Sequence, residues 1–282
     1  MFILTGFFVI AIYNLLNDES CLLSERYDCV KSQGKQVASI FDFLTLSELL
    51  LCCGIVIFAS VLQVSIGMGF GMLASPLVAL VKPELVPGSI LAMGLFVAFS
   101  GAWRERSNIS MNELKLGVVG RVIGSIMAFG MLLIIPDVES FFIIFGVIML
   151  IAISMTAFGN KIPFSDKSLL NLSVVSGVIG SITAVGAPPM ALIYHDKDPA
   201  IVRPTLNAFF FSGSALGLIS LGLSGWISVQ DFLAAVLFIP AMFVGILISE
   251  PFKKLPSALM SKLLLSLSAI ASILLILRGL VW

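Results

Sequence analysis

The sequence predicts an all-α integral membrane protein with two inverted repeats, each containing a broken-helix hairpin and three long transmembrane helices, after an extra N-terminal helix. Of the 282 residues, 59% are hydrophobic and only 11% are charged, whereas soluble domains carry about 25% charged residues. Several apolar segments reach the roughly 20 residues that a helix needs to cross the hydrocarbon of a bilayer. These segments lack the alternation of apolar and polar residues typical of membrane β-barrels, so we expect helices.

Composition and motifs argue against several functions. The formal net charge is zero, so the chain offers no basic surface for nucleic acid. The single histidine and four cysteines do not have the spacing of a zinc site, and the sequence contains neither a P-loop nor a nucleophile elbow. We therefore expect no enzyme activity, no metal and no cofactor.

The first region, residues 1–44, precedes the repeats. Residues 1–16 are apolar but lack the basic flank and the cleavage site of a secretory signal, so we predict an uncleaved helix. Residues 17–44 are polar and are expected outside the cell. They contain Cys21 and Cys29, which either form a disulfide in an oxidising compartment or remain free thiols.

Apolar segments follow along the rest of the chain, and two of them are short. A helix of about 13 residues covers only about 20 Å, while the hydrocarbon is about 30 Å thick. The two short segments, 70–82 and 187–194, therefore predict hairpins that enter the membrane and return. The segments are 45–66, 70–82, 87–103, 113–135, 139–157, 168–184, 187–194, 200–222, 229–249 and 257–281.

Residues 45–160 and 161–282 repeat the same order of features. Each half has a long helix, a glycine-rich break, a proline that opens a short apolar segment, a charged tip and another long helix. In this alignment Pro76 pairs with Pro189, and Ser89 pairs with Thr205 after a small insertion. The alignment contains a gap, so the shared order of features is its main support.

The distribution of Lys and Arg predicts the orientation of the helices. Loops rich in these residues alternate with loops that have none, provided that each short segment returns to the side it came from. Basic loops face the cytoplasm, so the two halves are predicted to be inverted. We expect a cytoplasmic N-terminus and cytoplasmic segments 104–112, 158–167 and 250–257, with 17–44, 136–138, 223–228 and the C-terminus outside.

The two breaks predict a binding site for an anion. Non-helical backbone is tolerated at membrane depth only where protein buries it or water lines it, and interrupted helices in inverted repeats mark transport sites. A short helix that begins near Pro76 or Pro189 would direct unpaired N–H groups at the membrane centre and favour an anion there. The alternative is that the small residues only allow helices to pack closely. The candidate residues at the breaks are Ser65, Gly67, Gly69, Gly71, Ser75, Pro76, Gly180, Ser181, Thr183, Gly186, Pro188 and Pro189.

Further candidates lie beyond the breaks. Arg121 is placed deep in a spanning segment, where it either binds an anion or extends towards the inner surface. Arg203, at the predicted inner mouth, either captures anions or anchors its helix. Ser89, Thr205 and Asn207 lie near the start of the following long helices and either face the site or bond neighbouring helices. Acidic residues occur only near helix ends, so the carboxylate relay of a proton antiporter is not expected.

Several segments resemble the sulfite exporter TauE/SafE family over residues 45–282. They are GMGFGMLASPLVAL (67–80), GAPPMALI (186–193), GSIL (88–91) and RPTL (203–206). Family members typically have glycine-threonine where this chain has Gly88-Ser89, and arginine-alanine-threonine where it has Arg203-Pro204-Thr205. The resemblance implies transport of sulfite, sulfonates or related small anions, usually outward across the inner membrane of a bacterium.

These observations together predict a membrane exporter of a small anion. The anion would bind at the half-helix N-termini near the bilayer midplane, and transport would proceed by alternating access. The alternatives are an anion channel, an importer of the same fold, or a membrane assembly protein without flux. The expected partners are a small inorganic or organosulfur anion and the lipid bilayer, and a homo-oligomer is compatible with both.

Overall fold

The computed structural model describes residues 44–254, 264, 266–271 and 273–274. The predicted N-terminal helix, both loop cysteines and most of segment 257–281 lie outside the described residues. Within 44–254 the chain forms ten α-helices and no strand. They are α1 (Leu46–Ile66), α2 (Phe70–Val81), α3 (Gly88–Arg104), α4 (Met111–Leu133), α5 (Val138–Phe158), α6 (Asp166–Thr183), α7 (Ala187–Ile193), α8 (Pro199–Leu223), α9 (Val229–Leu237) and α10 (Ile239–Ile248).

Polar residues cap several of these helices at their N-termini. Thr45 and Glu48 form a capping box at the start of α1, in which the Glu48 carboxylate accepts a 2.8 Å hydrogen bond from the Thr45 N–H. Ser165 caps α6, and Asp198 caps α8 by accepting from the Ala200 N–H at 2.9 Å. Such caps satisfy N–H groups that have no partner inside the helix. Except at 229–249, the helix bounds agree closely with the predicted apolar segments.

The distribution of side chains over the surface is that of a membrane protein. Helices α1, α4 and α8 are each long and apolar enough to cross a bilayer, and α9 and α10 together form a fourth, bent candidate. Large apolar side chains point outwards, with Ile126 64% and Phe158 86% exposed, while many serines are buried between the helices. Apolar groups outside and polar groups inside are favourable only in lipid.

The predicted single helix at 229–249 is instead broken. Helices α9 and α10 meet at Phe238 with a bend of 46°. Pro240 lies in the first turn of α10, and proline cannot donate a backbone hydrogen bond to the preceding turn. The bend is therefore a proline effect that the apolar pattern alone did not indicate.

The order of long helix, break and short helix occurs twice in the described residues. Helix α1 ends at Ile66 and α2 begins at Phe70, while α6 ends at Thr183 and α7 begins at Ala187. Each break is therefore three residues long, at 67–69 and 184–186. In this correspondence Ile66 matches Thr183, which differs from the pairing of the two prolines in the sequence alignment.

Helix α8 lies at the centre of the fold. It packs against α3, α4, α6 and α1, while α4 packs along α6 and α10 packs along α1. The contact between α4 and α6 depends on glycine. A Cβ atom added at Gly124 would collide with the Val174 carbonyl and lie 2.8 Å from the Gly177 Cα. The two backbones are therefore in direct contact, as is common for glycine in membrane helices.

This contact predicts a strong asymmetry between two glycines of α4. Gly124→Ala would force apart two helix backbones, which have no flexible atom to move, and overpacking of this kind costs about 1–3 kcal/mol. Gly130 has no atom within 4 Å of an added Cβ, so Gly130→Ala is the matched control. We expect thermal unfolding in detergent to shift to lower temperature for Gly124→Ala only. Equal melting temperatures would contradict the close contact.

Candidate functional site

The first break depends on two glycines. Gly67 and Gly69 have φ angles of 91° and 117°, which glycine adopts without the clash that a Cβ would cause. Helix α2 then begins at Phe70. The expectation that this helix starts near Pro76 is wrong, because Pro76 lies inside α2. The break is made by the glycines upstream, and the proline only removes one hydrogen bond within the helix.

Gln63 closes the first break, and sequence analysis did not identify this residue. Its side chain is 3% exposed, and its Oε1 accepts from the Phe70 N–H at 3.0 Å. Its Nε2 donates to the Gly67 carbonyl at 3.1 Å and to the Asn207 Oδ1 at 3.0 Å. The first N–H of α2 is therefore already satisfied by a neutral amide. A glutamine inside an apolar span was the signal that could have found it.

The second break has a different construction. Ala184 has a φ of 61° directly after α6, and α7 begins at Ala187 with Pro188 in its first turn and Pro189 directly after it. This agrees with the prediction of a short, proline-led helix, since proline suits the first turn. The Gly186 carbonyl accepts from the Ser176 hydroxyl at 2.6 Å.

The guanidinium of Arg121 lies at the second break. Arg121 is 2% exposed, so its side chain does not extend to the membrane surface. Its Nη1 donates to the Ser176 carbonyl at 2.5 Å and to the Ser176 hydroxyl at 2.6 Å. The Phe209 ring of α8 lies beneath the guanidinium, with 5.5 Å between its centroid and Cζ. Of the two alternatives for this arginine, the structure shows the interior position.

Three glycines make room for this guanidinium. An added Cβ at Gly180 would lie 2.5 Å from Nη2, and one at Gly186 would lie 2.5 Å from Nη1. A Cβ at Gly213 of α8 would collide with Nε. Gly180 and Gly186 are among the candidate residues predicted at the second break, whereas Gly213 is not. Their role is to leave space, because the guanidinium occupies the volume of the missing side chains.

Arg121 lacks a negative partner in the part of the chain that the structure describes. The ion pairs among those residues all involve other groups, and the Arg121 Nε is buried without a hydrogen-bond partner. A buried, uncompensated charge is unfavourable by several kcal/mol. An anion bound at Nε would both neutralise the charge and satisfy the donor.

Helix α2 contacts the second break directly. The Ser75 hydroxyl donates to the Thr183 carbonyl at 2.9 Å, and a Cβ at Gly71 would collide with the Ala184 carbonyl. Two residues before Thr183, the Ser181 hydroxyl shares a 3.0 Å hydrogen bond with the Ser125 hydroxyl of α4. The structure therefore brings α2 of the first half against the break of the second half.

Three other predicted hydroxyls join helix ends instead. Ser65 donates to the Ser249 carbonyl at 3.3 Å, and Ser89 donates to the Leu85 carbonyl. Thr205 accepts from the Ser110 N–H at 2.9 Å. The Ser65 and Thr205 hydroxyls thus bond distant segments of the chain, the alternative left open for Thr205, whereas the Ser89 hydroxyl bonds a carbonyl four residues before it.

Arg203 belongs to a network of charges at one end of the helices. Its Nη1 pairs with Glu105 at 3.1 Å, and Lys253 pairs with the same carboxylate at 2.6 Å. Lys253 also pairs with Glu250 at 3.1 Å, and hydrogen bonding from Lys253 lowers the pKa of the Glu250 carboxyl. Arg104 extends the network to Glu250 at 3.3 Å. We call these five residues the charge network.

Comparison with known proteins bears on this geometry. A family model described as "Sulfite exporter TauE/SafE" matches residues 52–275, which include both breaks and Arg121. No curated protein and no solved structure matches the chain.

The packing around Arg121 predicts the effect of filling the second break. In Gly186→Leu the new side chain would occupy the position of Nη1 and displace the guanidinium from its hydrogen bonds to Ser176. We expect expression to persist and transport of radiolabelled sulfite into proteoliposomes to be abolished. Ser75→Ala, which removes one buried hydrogen bond worth about 1 kcal/mol, should have a milder effect. Normal transport by Gly186→Leu would show that the second break is not the site.

Proposed function

The chain belongs to the sulfite exporter TauE/SafE family of membrane transporters, and from this premise we propose that it exports a small anion, such as sulfite or an organosulfonate, by alternating access. The observation that carries the proposal is Arg121, a buried cation whose Nε has no partner among the described residues. Membership of the family indicates the class of substrate, and we propose Arg121 as the residue that binds it.

The chemistry of Arg121 suits an oxyanion. A guanidinium presents planar N–H donors that match the oxygens of a small anion and remains charged at any physiological pH. Ser176 holds one edge of the group through Nη1, which leaves Nε as the open donor. In an environment of low dielectric constant, the attraction between this cation and an anion is stronger than in water. The anion loses its hydration shell there, and the arginine compensates for that loss.

The charge network provides a gate on the side predicted to be cytoplasmic. Glu105 follows α3 in the first half, while Arg203 and Lys253 belong to the second half. Their side chains are only 12–20% exposed, so the ion pairs hold the two halves together near α8. In an alternating-access cycle these pairs separate when the site opens to the cytoplasm. Arg203 then becomes available to attract an anion.

The membrane potential is sufficient to drive export. An inside-negative potential favours exit of an anion by about 2.3 kcal/mol per charge per 100 mV. The spanning helices offer no chain of carboxylates for protons among the described residues, because the buried Asp231 lies in the first turn of α9 and accepts hydrogen bonds from Ser228 and Ser89. We therefore propose export without a coupling ion.

A flux assay in liposomes tests this proposal. Purified protein should transport one or more of sulfite, sulfoacetate, sulfate and thiosulfate, with saturation and counterflow. Arg121→Met should abolish this flux because it removes the only charge at the second break. Arg106→Met is the matched control, since Arg106 lies against Trp103 at the protein surface. Flux without saturation or counterflow would indicate a channel, and absence of flux for all anions would contradict transport.

The gate makes a separate prediction about Glu105. Glu105→Arg would place three positive charges together and force the network apart, so sulfite transport should fall several-fold. The double variant Glu105→Arg with Arg203→Glu restores opposite charges and should recover part of the rate. Glu84→Arg, at an exposed acid outside the network, should have little effect. Failure of the charge swap to recover any transport would show that these ion pairs do not act as a gate.

A further inference from the structure

The two helix breaks can be compared residue by residue because both are three residues long. Gln63 lies three residues before the last residue of α1, and Gly180 lies three residues before the last residue of α6. The two residues therefore occupy equivalent places beside their breaks. Gln63 has a polar side chain, and Gly180 has none.

At the first break, this position carries the side-chain amide of Gln63, which belongs to α1 itself. Both N–H groups of the Gln63 amide donate, one to Gly67 and one to Asn207, and its oxygen accepts from Phe70. The nearest arginine by contact is Arg203, whose backbone touches Gly67 but whose guanidinium pairs with Glu105. The Gln63 amide at the first break is therefore fully hydrogen-bonded, and the charge of the adjacent Arg203 is balanced by Glu105, although the Arg203 Nε is buried without a hydrogen-bond partner among the described residues.

At the second break, the equivalent place is filled by a cation from another helix. Gly180 has no side chain, and the guanidinium of Arg121 from α4 lies where that side chain would begin, since an added Cβ would be 2.5 Å from Nη2. The absence of a side chain at Gly180 therefore leaves room for the Arg121 guanidinium. This break carries a buried guanidinium that has no carboxylate partner among the described residues and an Nε without a hydrogen-bond partner, whereas the arginine beside the first break is paired with Glu105.

From this contrast we infer that only the second break binds the transported anion, that one chain binds one anion, and that Gln63 keeps the first break closed to a second anion. The inference rests on the proposed function. An anion at the first break would displace the amide from three hydrogen bonds, and the cation beside it, Arg203, is already paired with Glu105. Of the two breaks, the second is therefore the anion-binding site, and the first is a junction between helices that Gln63 closes.

Helix α8 links the first break to the proposed binding site at the second break. Asn207 of α8 binds Gln63, while Phe209 and Gly213 of the same helix contact Arg121. Gln63 thus positions α8 without touching the anion. Loss of its amide should lower the maximal rate of transport and leave the half-saturating concentration of sulfite unchanged.

Binding stoichiometry tests the inference directly. Equilibrium dialysis of the purified full chain in detergent, with radiolabelled sulfite, should give one anion per wild-type chain. Gln63→Gly, which copies the residue of the second break, should still bind one. Gly180→Gln, which copies the residue of the first break and displaces the guanidinium, should bind none, and neither should Arg121→Met. Gel filtration and thermal unfolding establish that each variant is folded.

Each other outcome contradicts a distinct part of the argument. Two anions per wild-type chain would overturn the inference and leave the proposed function intact. One anion retained by Arg121→Met and lost by Gln63→Gly would place the site at the first break. If Gly180→Gln does not fold, Arg121→Met alone decides between the breaks. Wild-type protein that binds no sulfite, sulfate or thiosulfate would contradict the proposed function, and this inference with it.

Discussion

The burial of one positive charge within the membrane-spanning helices constrains much of this structure. Arg121 is removed from water in a region where a charge is strongly disfavoured. The fold compensates in part through Ser176, which accepts two hydrogen bonds from Nη1, and through the face of the Phe209 ring. The compensation is incomplete at Nε. Under the proposed function, an anion at Nε would complete this compensation.

The glycines of the chain serve three physical purposes, which composition alone does not separate. Gly67 and Gly69 allow a left-handed backbone at the first break. Gly124 and Gly177 allow two helices to touch. Gly180, Gly186 and Gly213 leave a space that a guanidinium fills. Close packing therefore explains Gly124 and Gly177, and the packing of α4 on α6 brings Arg121 to the second break, where the ligand site remains our proposal.

The charges of the protein are separated into two settings. At the predicted cytoplasmic end, Arg203 and Lys253 share Glu105, so those cations are neutralised and link the two halves. In the interior, Arg121 has no such carboxylate among residues 44–254. Under the proposed function, an anion would meet paired charges at the entrance and an unpaired charge inside.

The sequence by itself determined most helix bounds and the positions of both breaks, because the length of an apolar run, the presence of glycine or proline and the capping residues act locally. It also indicated that Arg121 lies deep in a span and that the second short helix begins with prolines. The start of α2 at Phe70 agrees with the predicted segment 70–82, but the expectation that Pro76 opens this helix is wrong, because Gly67 and Gly69 form the break upstream and the Gln63 side chain accepts from the Phe70 N–H. The apolar pattern did not show the bend at Phe238, although its cause, Pro240 in the first turn of α10, is local. The direction of Arg121 and the pairing of Glu105 with Arg203 were decided only by tertiary structure. Their partners lie 55 and 98 residues away in the chain, and no local pattern encodes contacts at such separations.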